Sequence, residues 1–406
     1  MKVTFIVDSI NRYGGGGASI LDLAHVIENL GNEVHFLVGR GYLRYLLRRA
    51  QMVDCGLGNH RVHRLPRAFQ RDGKTYALRS RIVDLIDRML SPERKALRIL
   101  FESELVIDCW SGKIDELRIA TSASISRSQA AEPETAIRTL CKISDFEVIK
   151  PQHVAEYREL CSRYDLTILQ SQTQADACAE ITTLSRTKFV DLAPSCVEHE
   201  VIASIASQSP YHSTRLKLVN IGSIQSRKAQ HFSVEVLAKI IASGIDAELH
   251  LVGQAVKKDY LERLKAAIKE FSLESRVFIH GHRSDHLRYL AHADFLLQTS
   301  EAEGVSRVLR EALLCGVPIV SFALRGTKDL LGPVLSERLL APPKDTSEIA
   351  KIVCEIYSDL EFLRTLIDAG RLQYFKNNSM AAYYLRVNEF LHYAVKVKDD
   401  AVAIGF

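Results

Sequence analysis

The chain has 406 residues, 47% apolar and 25% charged, with a mean hydropathy of −0.02. This excludes wholesale disorder and low complexity, and the length suits two to three domains of about 150 residues each. The net charge of +4 is mild but uneven, because residues 40–98 carry 15 Lys/Arg against 5 Asp/Glu. That block reads either as a solvated face or as a site for an anionic partner such as acidic lipid. No apolar run reaches the ~20 residues of a membrane-spanning helix. The start, MKVTFIVDSI, reads as a first strand and not as a secretion signal. Eight cysteines, at 55, 109, 141, 161, 178, 196, 315 and 354, form no CxxC or CxxH pair. A zinc site or dense disulfide framework is not expected, and scattered thiols suit a reducing cytoplasm.

Strand and helix signals alternate along the chain. Val3–Val7 is an apolar strand, Asn11–Gly17 a Gly-rich loop, and Ala18–Asn29 a helix with Ile20, Leu23, Ala24, Ile27 and Leu30 on one face. Gly31 stops that helix, and Val34–Val38 is the next strand. Further strands are expected at Glu104–Cys109, Leu117–Ala120 and Asp165–Gln170. The second half is more regular, with strands at Arg215–Ile221, Ala247–Val252, Arg276–His280, Ala293–Thr299 and Val317–Phe322. Helices are expected at Gln230–Ser243, Lys257–Phe271 and Ser306–Cys315. Strands apolar on both faces, alternating with helices, imply parallel sheets covered by helices and wound by right-handed crossovers. The fold class is α/β: two Rossmann-like, doubly wound domains facing across a cleft. The expected boundaries are 1–200 and 214–377, with a Pro/Ser-rich linker at 194–213 and the ligand at the strands' carboxyl ends.

The first Gly loop does not read as a dinucleotide site. Gly15-Gly16-Gly17 lacks the third glycine of G-x-G-x-x-G, and the second strand ends without an acidic residue. Two readings remain, a flexible loop or close backbone approach to an anion at a helix N-terminus.

The informative stretch is Ser300–Val320. Glu303 lies in the turn after a strand and Glu311 inside the next helix, and Gly304, Val305 and Ser306 open that helix with amides facing the cleft. A helix N-terminus suits a diphosphate, and the two carboxylates suit sugar and ribose hydroxyls.

With these motifs in order, the chain resembles the retaining GT-B glycosyltransferases of glycosyltransferase family 4. Gly14–Gly17 followed by ASILDLA resembles the family's N-terminal loop and helix, and Ile221–Gln230 its G-[R/S/T]-x-x-x-x-K-G segment. Leu251–Gly253 and Val277–His282 resemble strands that end at the nucleotide, and Glu303 to Glu311 the E-x7-E signature. Gly316-Val-Pro318 and Arg325–Asp329 resemble the usual sequel. The resemblance implies that Lys228 contacts the donor diphosphate, Glu303 the donor sugar and Glu311 the ribose. Gly253 and the backbone of His280, Gly281 and His282 would line the base. Gly15, Gly16, Gly17, Ser223, Arg227, Gly304, Val305 and Ser306 complete the donor set. It also implies a closing helix from Tyr374–Leu391, so that residues from about 378 to 406 return to the first domain.

Three departures stand out. Ser223 replaces a frequent Arg, Ala229 a frequent Gly, and the usual N-domain His is missing from Glu104–Glu134. Asp108, Ser124, Arg127 and Gln129 are acceptor-side candidates, or ordinary turn and loop polars. A double displacement needs a carboxylate behind the anomeric carbon, and no N-domain acid stands out for it. The resemblance therefore implies a front-face, metal-independent transfer of a hexose, with no cofactor beyond the nucleotide-sugar donor. The acceptor is a glycan, lipid-linked or small molecule. Tyr42–Arg49 and Arg79–Arg98 read as surface helices or as basic amphipathic helices on the inner face of an anionic membrane, and no nucleic acid is expected. The alternatives are a partner subunit with weakened chemistry or another GT-B enzyme, such as a nucleotide-sugar epimerase.

Overall fold

A computed structural model describes residues 1–7, 15–38, 61–64, 99–100, 102–109, 139–143, 153–192 and 198–403. The expected strand at 117–120 and nearly all of the basic block 40–98 lie outside the described residues.

Among the described residues, seven parallel strands form the first sheet: β1 (Lys2–Val7), β2 (Glu33–Val38), β3 (Arg61–Arg64), β4 (Leu105–Cys109), β5 (Thr139–Ile143), β6 (Leu166–Leu169) and β7 (Phe189–Asp191). Their order is β3-β2-β1-β4-β5-β6-β7. Helix α1 (Gly15–Asn29) buries Ile20, Leu23, Ala24 and Ile27 against β1, β2 and β4. It starts three residues before the expected point, so Gly15–Gly17 form its first turn and not a preceding loop. Gly31, in the left-handed region at φ 82°, ends it by donating to the Glu28 carbonyl at 2.8 Å. Helices α2 (Val154–Ser162) and α3 (Gln172–Thr182) precede and follow β6.

The second sheet has six parallel strands: β8 (Leu216–Ile221), β9 (Ala247–Val252), β10 (Val277–Gly281), β11 (Phe295–Gln298), β12 (Ile319–Phe322) and β13 (Leu340–Ala341). Their order is β10-β9-β8-β11-β12-β13. Residues 194–213, expected as a plain linker, contain helix α4 (Glu198–Ile205), whose Val201 is fully buried in the second core. The Ser-rich composition masked a single apolar anchor, which is enough to dock so short a helix. Between the strands run α5 (Gln230–Ala242), α6 (Lys258–Glu270), α7 (His286–Ala291) and α8 (Arg307–Cys315). Helix α9 (Arg325–Leu339) is broken at Gly332 (φ 72°), ahead of Pro333, and α10 (Thr346–Ser358) follows β13.

The chain ends in α11 (Leu360–Asn377) and α12 (Met380–Ala403). Tyr383, Val387, Phe390, Leu391 and Ala394 of α12 are buried in the first sheet's core, while Leu366 and Tyr374 of α11 belong to the second. At the crossing, the Glu198 carboxylate accepts from the Tyr374 hydroxyl at 2.9 Å and the Met380 amide at 2.8 Å. The last helix thus completes a core begun by the first strand. Truncating Phe390 to Ala should cost about 3–5 kcal/mol by the usual cavity and transfer terms. Calorimetry should show the loss in the unfolding of the first half, and equal loss in both halves would show that the cores are not separate.

Candidate active site

In the second sheet the winding reverses between β8 and β11, so the loops leaving their carboxyl ends diverge and open a crevice. Loop 222–229 follows β8 and loop 299–306 follows β11.

Glycines at the ends of β8, β9 and β10 floor this crevice. The Gly253 amide donates to the Gly281 carbonyl at 2.8 Å, and a Cβ on Gly253 would stand 1.8 Å from the Gly222 carbonyl oxygen. Only glycine permits that approach. Above Gly222 runs the Lys228 side chain, its Cε 3.4 Å from where a Cβ would sit. Lys228 closes a single tight turn, Ser226–Lys228, and Ala229 follows in the left-handed region at φ 47°, ψ 44°. A conformation favouring glycine is here borne by a fully buried alanine. Hydrogen bonds hold it: the Thr299 hydroxyl donates to the Ala229 carbonyl at 3.2 Å and pairs with Ser233 at 2.8 Å, which accepts from Asn220 at 3.0 Å. Ser223, at the frequent Arg position, accepts from the Gln225 side chain at 2.7 Å, while the Ser223 carbonyl accepts from Gln230 at 3.0 Å.

Lys228 forms an ion pair with Glu303 across the crevice. The other Glu303 oxygen lies 3.2 Å from Arg227, and the Ser300 hydroxyl donates to the carboxylate at 2.9 Å. Arg227 also donates to the Ala302 carbonyl at 2.6 Å. Burial pushes the Glu303 carboxyl up, but the Lys228 and Arg227 cations override it and hold the pKa below the ordinary value.

Gly304, Val305 and Ser306 lead into α8. The Val305 amide points across the cleft and donates to Gln170 Oε1 at 2.6 Å, at the end of β6 in the first half. Glu311 is buried inside α8, 3.8 Å from both His286 and Arg307. Burial raises its pKa, and His286, then Arg307 and Arg310, bring it below the ordinary value. Arg307 in turn reaches Asp22 of α1 at 2.6 Å.

The structure therefore brings together Lys228, Arg227, Glu303 and the 304–306 turn, with Gly253 beside them. His280 turns its ring into a stack with His250, with ring nitrogens 2.9 Å apart and Glu248 3.0 Å beyond His250. Gly281 supplies its carbonyl to the glycine floor, and His282 lies in the following bend. Asp108 is not brought to this group: it is fully buried in β4 and accepts from the Tyr164 hydroxyl. Ser124, Arg127 and Gln129 lie outside the described residues. Sequence reasoning missed Ser300, His286, Arg307, Asp22 and Gln170. Arg307 and Glu311, four apart on one helix face, carried a readable signal.

Residues 215–359 match the family model described as Glycosyl transferases group 1. The chain is 27% identical over 186 residues to the N-acetyl-alpha-D-glucosaminyl L-malate synthase of Bacillus anthracis, covering 45% of this chain and 46% of that protein. It is 26% identical over 220 residues to the 2-deoxystreptamine glucosyltransferase of Streptomyces kanamyceticus, covering 51% and 54%. The matches thus span about half the length of these curated relatives. Among solved structures, Anabaena HepE in complex with UDP and glucose superposes with a TM-score of 0.72 at 19% identity, covering 97% of this chain and 99% of that one. The fold is GT-B.

The site's surroundings set a pH dependence. Burial, then His250 and Arg283, drive the His280 pKa from 6.5 down to about 4. The folded state favours the neutral ring, so the unfolded chain takes up this proton first as pH falls. The stability it supports is full above about pH 6.5 and is lost as pH falls through 4. Melting temperature should fall over that window in wild type and fall less in His280→Gln. Parallel curves would show that His280 is not the titrating group.

Proposed function

We propose that the protein is a retaining glycosyltransferase that moves a hexose from a UDP- or GDP-linked donor to a hydroxyl of an acceptor. The acceptor is a glycan, a lipid-linked glycan or a small molecule. The observation that carries this reading is the ion pair of Lys228 with the buried Glu303, beside the cleft-facing Val305 amide, at the switch point of the second sheet. The family model matched over 215–359, and the names of the two relatives, support it.

In this reading the acceptor oxygen approaches the anomeric carbon on the face from which the diphosphate leaves. The bond from that carbon to the phosphate oxygen breaks as the new bond forms, and the acceptor proton passes to the departing phosphate. Lys228 and the amides at 304–306 stabilise the negative charge that develops there, a type of term often the largest in catalysis. Glu303, held ionised, accepts hydrogen bonds from the sugar hydroxyls, and Glu311 does so from the ribose. The glycine floor lets the nucleotide lie close to the strand ends. These cationic and dipolar groups supply the positive charge, and the proposed reaction uses no metal ion. Holding donor and acceptor together contributes up to ~7–11 kcal/mol in favourable cases, and cleft closure excludes water.

The test is calorimetric binding and hydrolysis of UDP- and GDP-sugars by wild type, Lys228→Ala and Glu303→Ala. Wild type should bind one donor class, and Lys228→Ala should lose about 10²–10³-fold in turnover. Glu303→Ala should lose turnover too, with sugar nucleotide bound no better than free nucleotide diphosphate. Failure of wild type to bind any sugar nucleotide would overturn the proposal.

The basic block 40–98 extends this reading to location: it would hold the enzyme on the inner, anionic face of a membrane. Pelleting with vesicles rich in acidic phospholipid should weaken with added salt. Equal pelleting with neutral vesicles would count against it.

A further inference from the structure

Among the described residues, Gln170 of the opposite half lies against the cleft side of the turn that carries the helix amides. Gln170 follows directly on β6, and the next residue, Ser171, caps α3 by accepting from the Gln174 amide. The Gln170 Oε1 accepts from the Val305 amide at 2.6 Å. A Cβ on Gly304 would stand 2.4 Å from that oxygen, 2.7 Å from Cδ and 3.0 Å from Nε2. The whole carboxamide therefore lies against Gly304. On the turn's other side, a Cβ on Gly326 would stand 1.9 Å from the Gly304 carbonyl oxygen. The turn is thus clasped between Gln170 and the first residues of α9: at Gly326 the neighbour is backbone and only glycine fits, while at Gly304 the neighbour is the movable end of the Gln170 side chain. Polar crossings flank it: Thr173 donates to Asp329 through its hydroxyl at 2.7 Å and its amide at 3.0 Å, and Arg307 meets Asp22.

A backbone amide has one hydrogen. The Val305 N–H can serve Gln170 or a phosphate oxygen, but not both at full strength. We infer that Gln170 is a positioning residue that competes with the donor diphosphate for the Val305 amide, a latch between the halves that donor binding releases. This rests on the proposed donor site. The chemistry of the side chain suits the role. A neutral carboxamide forms a modest bond, and a charged phosphate oxygen forms one about twice as strong. A carboxylate in the same place would hold the amide more firmly and repel the diphosphate.

The test titrates UDP and GDP calorimetrically into full-length wild type, Gln170→Met and Gln170→Glu. Methionine keeps the length and the packing on Gly304 but cannot accept strongly from the amide. It should bind nucleotide about threefold to tenfold tighter than wild type, the yield of removing one competing hydrogen bond. Gln170→Glu should bind about tenfold weaker or worse. A purely structural role for Gln170 would move both variants in the same direction. Should Gln170→Met fail to fold, Gln170→Ala serves with the same expectation. Wild-type binding with equal or weaker binding by the acceptor-free variant would overturn the latch alone. No binding by any of the proteins would overturn the donor-site reading and the latch with it.

Discussion

The structure of the second half turns on a pair of opposite charges largely withdrawn from water, the buried Glu303 and the half-buried Lys228. Taking two ions out of water costs several kcal/mol each, and their attraction offsets this only when further hydrogen bonds complete the site. Those bonds are present: Ser300 donates to Glu303, Arg227 approaches the second oxygen, and Arg227 also donates to the Ala302 carbonyl. Even so, such pairs seldom stabilise a fold more than well-packed apolar side chains would. A cluster this dense at a strand switch point is better explained by the charge it can present to a ligand than by the stability it returns.

The backbone around the pair follows from that requirement. For Lys228 to reach across Gly222 to Glu303, the chain must turn sharply after Ser226 and then begin α5 at Gln230. Ala229 makes the join in a conformation costing an L-residue roughly 1–2 kcal/mol. The cost is met by tying Ala229 into the core, where its carbonyl accepts from Thr299 within the Asn220–Ser233–Thr299 network. That network joins β8, α5 and the end of β11, the same elements that present Lys228 and Glu303. The strain and the site share one scaffold.

Much of this was legible in the chain itself, and the boundary of legibility is physical. The five strands β8 to β12 are rich in apolar residues, and β8, β9 and β10 end at glycines, so their positions could be read to within a residue or two, whereas the two-residue β13 was not read. Glu303 and Glu311 could be read because a turn and a helix of fixed length place them. The first half was harder. Its β7 is three residues long and β3 is Arg-Val-His-Arg, and between the halves α4 docks on the second core through Val201 alone. Side chains whose partners come from far along the chain left no local signal at all. Gln170 and Val305 are 135 positions apart, and Asp22 and Arg307 are 285 apart. His280 shows the converse case. Its position beside the strand end was readable, but the stack with His250 that turns its ring away depends on the register of β9 against β10.

The division between apolar and polar contacts bears on how the cleft would work. Each sheet has its own buried apolar cluster, and α12 belongs to the first while α11 belongs to the second. The named crossings near the site, Gln170 to Val305, Thr173 to Asp329 and Asp22 to Arg307, are hydrogen bonds and an ion pair. Separating these three crossings exchanges such bonds for bonds to water, at a net of about 1 kcal/mol each. At the far end, Glu198 grips both Tyr374 and the start of α12, so the chain's two passages between the halves are fastened at one point. The bonds that join the halves beside the site are thus of a kind that water or a charged group can replace, whereas the joint at Glu198 ties down the two closing helices.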